Sequence, residues 1–261
     1  MLRQRVVTAL IAVSVLMLVL FLVPDVMAEV FIALLVLAGA WEWSGFLGTR
    51  SMPARVAFVF TVGLLMALVG LQLAAFAPAV FIVSLTWWVA ALIWTFFYPT
   101  PVPPFVRWLG GVLVLIPLHV ALLTLYRAEP TVLLFVLLIV WAADIGAYFV
   151  GKRFGRVKLA PQISPGKTWE GVIGGLLAVT LLTVGRSFLV DTNLAVLVPF
   201  CLAIACASIV GDLTVSMFKR NAGLKDSGAL FPGHGGVLDR IDSVSAAAPL
   251  FALGVTWAGL Q

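Results

Sequence analysis

Apolar residues run along this chain in long blocks with short polar breaks, without the one-sided periodicity of a soluble surface helix. Nine blocks lie near residues 6–23, 27–47, 56–75, 79–97, 109–126, 131–150, 169–189, 194–217 and 243–260. A helix crosses a bilayer with about 20 mostly apolar residues, so each block predicts one transmembrane helix. The breaks carry turn residues: Pro24-Asp25, the stretch GTRSMPAR, Ala77-Pro78, YPTPVPPFVR and RAEP. Two polar loops are longer, at 151–168 and 219–242. The pattern predicts an all-α polytopic membrane protein of about nine helices. Residues 1–126 hold helices 1–5, and residues 127–261 hold helices 6–9 with both polar loops.

Composition agrees with this class. Hydrophobic residues make up 63% of the chain and charged ones 10%, against about 25% charged in a soluble domain. The apolar start, Val6 to Val23, exceeds the roughly 7–15 residues of a signal-peptide core, so it reads as a retained helix. The net charge of +5 reads as loop charge facing anionic lipid, with no nucleic-acid partner expected. Lys and Arg mark the cytosolic side. With the N-terminus in the cytosol, alternate loops collect 14 of the 16 basic residues, and only Arg127 and Arg186 fall outside. Nine helices then put the C-terminus outside and both polar loops in the cytosol. Cys201 and Cys206 sit in an apolar run and read as small packing residues.

The 11 acids divide. Asp25, Glu129 and Asp191 fall in short outer loops. Glu29 and Glu42 lie in or beside helix 2 and receive no role. Asp144, Glu170, Asp212, Asp226, Asp239 and Asp242 gather in the cytosolic halves of helices 6–8 or the adjoining loops. A carboxylate at a membrane boundary is costly and faces a polar cavity or a partner. One such acid is explained equally well by an ion pair locking two helices. Several converging with lysines and arginines point to a site. Asp212, Ser216, Lys219 and Arg220 share one helical face, and Asp239 and Asp242, three apart, can share another. Paired carboxylates flanked by cations suit a hard cation on a polyphosphate. A cation-coupled transporter is the alternative of another class, and would place its acids at the midplane.

Glycine-rich PGHGG, Pro232 to Gly236, can turn tightly or present amides to phosphate. His234 reads as a proton donor, a phosphate contact or a turn residue. His119, inside helix 5, reads as an interhelical hydrogen bond. In the loop before helix 7, Ser164, Lys167 and Thr168 form a phosphate-contacting set. They are not a P-loop, because Pro161 stands where that motif needs glycine. Thr168 is a candidate helix N-cap, and Gly171 and Gly175 a close-packing face.

SMFKRNAGLKDSGALFPGHGGVLDRID, residues 216–242, resembles the signature of the phosphatidate cytidylyltransferase (CDP-diacylglycerol synthase) family throughout its length. DIGAYFVGKRFG and ISPGKTWEGVIGG resemble it too, although Gly166 stands where the family usually has a second lysine. The resemblance implies that CTP and phosphatidic acid give CDP-diacylglycerol and pyrophosphate. It implies Mg²⁺, with a monovalent cation such as K⁺ at the same site, held by Asp212 and Asp239 with Asp226 and Asp242 in or beside the shell. Lys219, Arg220, Lys225 and Arg240 would neutralise the substrates. Asp144, Ser164, Lys167, Thr168, Ser216, His234, Gly235 and Gly236 would line the substrate site. A CTP-dependent lipid kinase is the nearer alternative. A homodimer and a bacterial inner membrane, with the site facing the cytoplasm, complete the expectation.

Overall fold

A computed structural model describes residues 2–49, 51–228 and 235–255, the side chains of residues 2–9 excepted. His234 and Arg50 lie outside the described residues, as does the end of the ninth block. Nine α-helices occur among the described residues, one for each apolar block. They are α1 (Leu2–Phe21), α2 (Asp25–Trp43), α3 (Met52–Leu71), α4 (Leu73–Thr95), α5 (Pro104–Ala128), α6 (Pro130–Phe154), α7 (Trp169–Ser187), α8 (Leu194–Asn221) and α9 (Leu238–Gly254). Seven of them, α2 to α8, are long and apolar enough to cross a membrane.

Two boundaries differ from the sequence reading. The break expected at Ala77-Pro78 comes earlier, at Gln72, and Pro78 sits inside α4. The loop expected from Lys219 is shorter. α8 continues to Asn221 and α9 starts at Leu238, so Lys219, Asp239 and Asp242 are all helical. α8 ends in a Schellman arrangement. Gly223, at φ +73°, lets its own N–H reach Arg220 O and that of Leu224 reach Lys219 O.

The all-α architecture holds, with one small addition in a loop. Loop 151–168 folds into a two-stranded antiparallel hairpin, β1 (Lys158–Ala160) and β2 (Ser164–Thr168). Residues that leave the bilayer must still pair their backbone groups, and a hairpin does so within a short loop. Two contacts fasten it to α7. Thr168 caps the helix by accepting the Gly171 N–H at 3.1 Å, and Glu170 accepts the Val157 N–H.

α5 and α9 form the centre of the bundle. α5 is buried over most of its length from Gly110 to Tyr126. α9 packs against α2, α4, α5, α6 and α8. Its central place explains its polarity: Asp242, Ser243 and Ser245 are buried in protein, where partners replace lipid. α3, α4 and α7 turn large side chains outward, among them Phe60, Ile82 and Leu181, as lipid-facing helices should. α6 and α7 meet backbone to backbone. A Cβ on Gly146 would lie 2.6 Å from Gly174 O, and one on Gly175 2.7 Å from Ala143 O. The expected packing role of Gly171 and Gly175 is therefore present.

Candidate active site

Three elements bring the predicted acids and bases together at the loop-bearing end of the bundle. The last three turns of α8 supply Asp212, Ser216, Lys219 and Arg220. The first turns of α9 supply Asp239, Arg240 and Asp242. Strand β2 supplies Ser164, Lys167 and Thr168.

Two clusters result. In one, Lys167 Nζ lies 2.6 Å from Asp212 Oδ2, and the Ser216 hydroxyl donates to Asp212 Oδ1 at 3.0 Å. In the other, Lys219 Nζ lies 2.7 Å from Asp239 Oδ1 and 3.8 Å from Asp242 Oδ2. Asp239 Oδ2 also accepts the N–H groups of Ser227 and Gly236, both at 2.9 Å. The clusters feel one another: the charge of Asp212 acts on both Lys219 and Asp242. Close approach of α8 and α9 permits this, since a Cβ on Gly211 would lie 2.6 Å from Asp242 O.

A cavity of about 530 Å³ opens beside the first cluster, between α6, α7, α8 and the hairpin. Asp144, Ser164, Lys167, Thr168 and Asp212 line its polar end, and Val172, Leu176 and Ile209 an apolar wall. Asp144 is exposed to this space, where the charges of Asp212, Lys167 and Arg240 act on it. The cavity is thus amphipathic, and it is lined by helices whose outer faces are lipid-like.

The remaining predicted residues are more peripheral. Arg220 donates to Ile163 O in the hairpin and to Leu224 O, both at 3.3 Å. Lys225 and Asp226 are exposed in the loop after α8, and Arg240 is exposed on α9. Gly235 takes φ +79°, with Asp239 Oδ2 where a Cβ would point. The Gly236 amide is already committed to Asp239. The hydroxyl of Thr168 serves as a cap as well as lining the cavity.

Four contributors escaped sequence reasoning. Tyr148 and Lys152, one helical turn apart on α6, line the cavity. Arg107 clamps the scaffold, donating to Phe46 O, Val102 O and the Asn221 side chain at the end of α8. Glu42, near the end of α2, is buried and accepts from the Ser227 hydroxyl at 2.7 Å, from Val237 N at 2.9 Å and from Leu238 N at 2.8 Å. The one available signal for Glu42 was a charge inside an apolar helix, between Trp41 and Trp43.

The donor set can be tested against a divalent ion. Among the described residues, no three His, Cys, Asp or Glu side chains converge as a metal cage. The carboxylates instead come singly or in pairs around lysines. That chemistry fits Mg²⁺, which takes one or two carboxylates and completes its shell with water and substrate phosphates.

Comparison with known proteins agrees with the geometry. The family model described as the cytidylyltransferase family matches residues 3–257. A phosphatidate cytidylyltransferase of Pseudomonas aeruginosa is 44% identical over 99% of this chain and 98% of its own length. One from Haemophilus influenzae is 36% identical over 97% and 98%. One from Brucella suis is 46% identical over 49% of this chain and 48% of its own length.

Proposed function

The chain belongs to the cytidylyltransferase family, and on that premise we propose that it transfers the cytidylyl group of CTP to phosphatidic acid, yielding CDP-diacylglycerol and pyrophosphate for phospholipid synthesis. What carries the reading at the level of geometry is the amphipathic cavity beside the Lys167–Asp212 cluster, with a second acid–lysine cluster around Lys219 further along α8. It offers charge for phosphates and an apolar wall for a lipid.

A phosphate oxygen of phosphatidate attacks the α-phosphorus of CTP. A new P–O bond forms, the bond to the β-phosphate oxygen breaks, and pyrophosphate leaves with that electron pair. The nucleophile is already anionic, so no strong base is required. Two anions must be held together while charge builds on the leaving group, so orientation and fixed positive charge dominate. Lys167 and Lys219 supply that charge from within the site. Arg220, Lys225 and Arg240 supply it from the rim. Asp239 and Asp242 hold Lys219, and Asp212 with Ser216 holds Lys167. Asp144, Ser164 and Thr168 border the lipid headgroup, with Gly235 and Gly236 shaping the turn beside Asp239.

A Mg²⁺ ion arriving on the triphosphate would be held by Asp212 and Asp239, with Asp226 and Asp242 in or beside its shell and K⁺ as a companion, and would draw charge from the departing pyrophosphate. All nine helices span the bilayer in this reading. The N-terminus and the site face the cytoplasm of a bacterial cell, where CTP is found, and the basic loop residues support that orientation.

The test uses purified protein in mild detergent with Mg²⁺, phosphatidic acid and CTP labelled separately at the α and γ phosphates. The α label should enter lipid and the γ label should leave as pyrophosphate. Entry of the γ label into lipid would make the protein a kinase. Failure of either label to move in folded protein would turn attention to transport.

A further inference from the structure

We infer that Glu42 is a positioning residue for the transfer reaction, acting through Asp239 on Lys219. The inference rests on the cytidylyltransferase reading and adds a residue from the N-terminal half of the chain to its site.

The geometry is a clip. One carboxylate oxygen of Glu42 takes the Ser227 hydroxyl and the Leu238 N–H, and the other takes the Val237 N–H. Ser227 lies before the PGHGG stretch in the sequence and Val237 and Leu238 after it, so one side chain fastens both flanks to α2. Val237 and Leu238 stand at the start of α9, where N–H groups lack helical partners and a negative charge is favoured. Two glycines close on the same carboxylate. A Cβ on Gly228 or on Gly236 would collide with the Glu42 carboxylate oxygens. Each flank therefore carries a glycine where its backbone passes closest to the carboxylate.

What the clip holds is the support of Asp239. The N–H groups that fix Asp239 Oδ2 come from Ser227 and Gly236, each on one clipped flank. Asp239 in turn fixes Lys219. Among the described residues the hydrogen-bond partners of Glu42 are Ser227, Val237 and Leu238, none of which lines the cavity, so its influence on the reacting phosphates runs through this chain of contacts. Misplacement of a catalytic group by about 1 Å can lower a rate on the order of 100-fold.

The test compares Glu42→Gln, Ser227→Ala and the double variant with the unaltered protein in the α-label assay. Amide hydrogen exchange over residues 235–242 is followed in parallel. Glu42→Gln keeps the side-chain shape but sets an NH₂ against N–H donors. It should lower kcat by about 30-fold, with KM for phosphatidic acid within about 3-fold, and speed exchange over 235–242 more than elsewhere. Ser227→Ala should act in the same direction more weakly. The double variant should be no worse than Glu42→Gln, because both act through one clip. Unchanged kcat and exchange in Glu42→Gln, with the unaltered protein active, would overturn the inference alone. So would multiplicative effects, or a fall in activity matched by faster exchange throughout the bundle. If Glu42→Gln does not fold, Ser227→Ala decides by the same two readouts. If the unaltered protein transfers no α label, the cytidylyltransferase reading fails and this inference falls with it.

Discussion

At the residue scale, the two lysines differ in setting, and the difference predicts different consequences. The Lys219 and Asp239 side chains are each 9% exposed, whereas Lys167 and Asp212 are about a quarter exposed. Removing one partner of a buried pair leaves an uncompensated charge and costs about 3–5 kcal/mol. A fully exposed pair is worth at most about 1 kcal/mol, and the half-buried Lys167–Asp212 pair falls between the two. Lys219→Met should therefore lower the unfolding midpoint in detergent more than Lys167→Met, while both reduce turnover. Asp212→Asn and Asp239→Asn keep the shape of the side chain and remove its charge. Each should lower α-label transfer by at least about 100-fold in protein that still elutes as a folded species, and Asp239→Asn, which withdraws the nearest counter-charge of buried Lys219, should lower the unfolding midpoint more than Asp212→Asn. Full turnover by either variant would remove that carboxylate from the site.

At the scale of elements, the site depends on how closely helices approach. Lipid supplies no hydrophobic drive between helices, so small residues and dispersion contacts hold α6 to α7 and α8 to α9. Gly146→Val would push its side chain into Gly174 O. It should destabilise by about 1–3 kcal/mol and reduce activity, because the cavity lies between the same two helices. The hairpin has its own handle. Thr168→Ala removes the cap of α7 and should cost about 1 kcal/mol, whereas Thr168→Ser should retain most of it. Thermal unfolding of the three proteins in one detergent gives that order directly.

At the scale of the whole molecule, the proposed nine-helix crossing makes a prediction about sidedness. In a background with Cys201 and Cys206 replaced by alanine, Asp191→Cys should react with an impermeant thiol reagent on intact cells. Lys225→Cys should react only after the membrane is opened. The reverse pattern would invert the orientation, and reaction of both from one side would remove a crossing between them. The placement of α9 at the centre also matters at this scale. α9, the last of the described helices, closes the site by bringing Asp239 and Asp242 to Lys219 on α8.

Much of this was legible in the sequence, for physical reasons that apply locally. An apolar block must become a helix in lipid, because only internal pairing satisfies its backbone. Each of the nine blocks therefore predicted a helix, and helical spacing placed Asp212 and Ser216 on one face and let Asp239 and Asp242 share another. Local rules also marked Thr168 as a cap and Gly171 and Gly175 as packing positions. Which lysine meets which acid is a different matter. Lys167 reaches Asp212 only because a hairpin folds back over α8, and hairpin pairing depends on residues flanking a turn that hydropathy does not register. Glu42 was illegible for a stronger reason. Its partners lie 185 to 196 residues away, and nothing near it in the chain carries their identity. The sequence alone determined the helices, their faces and the chemistry they could bear. Tertiary packing alone decided the pairings, because a buried charge takes its meaning from whatever donor the fold brings to it.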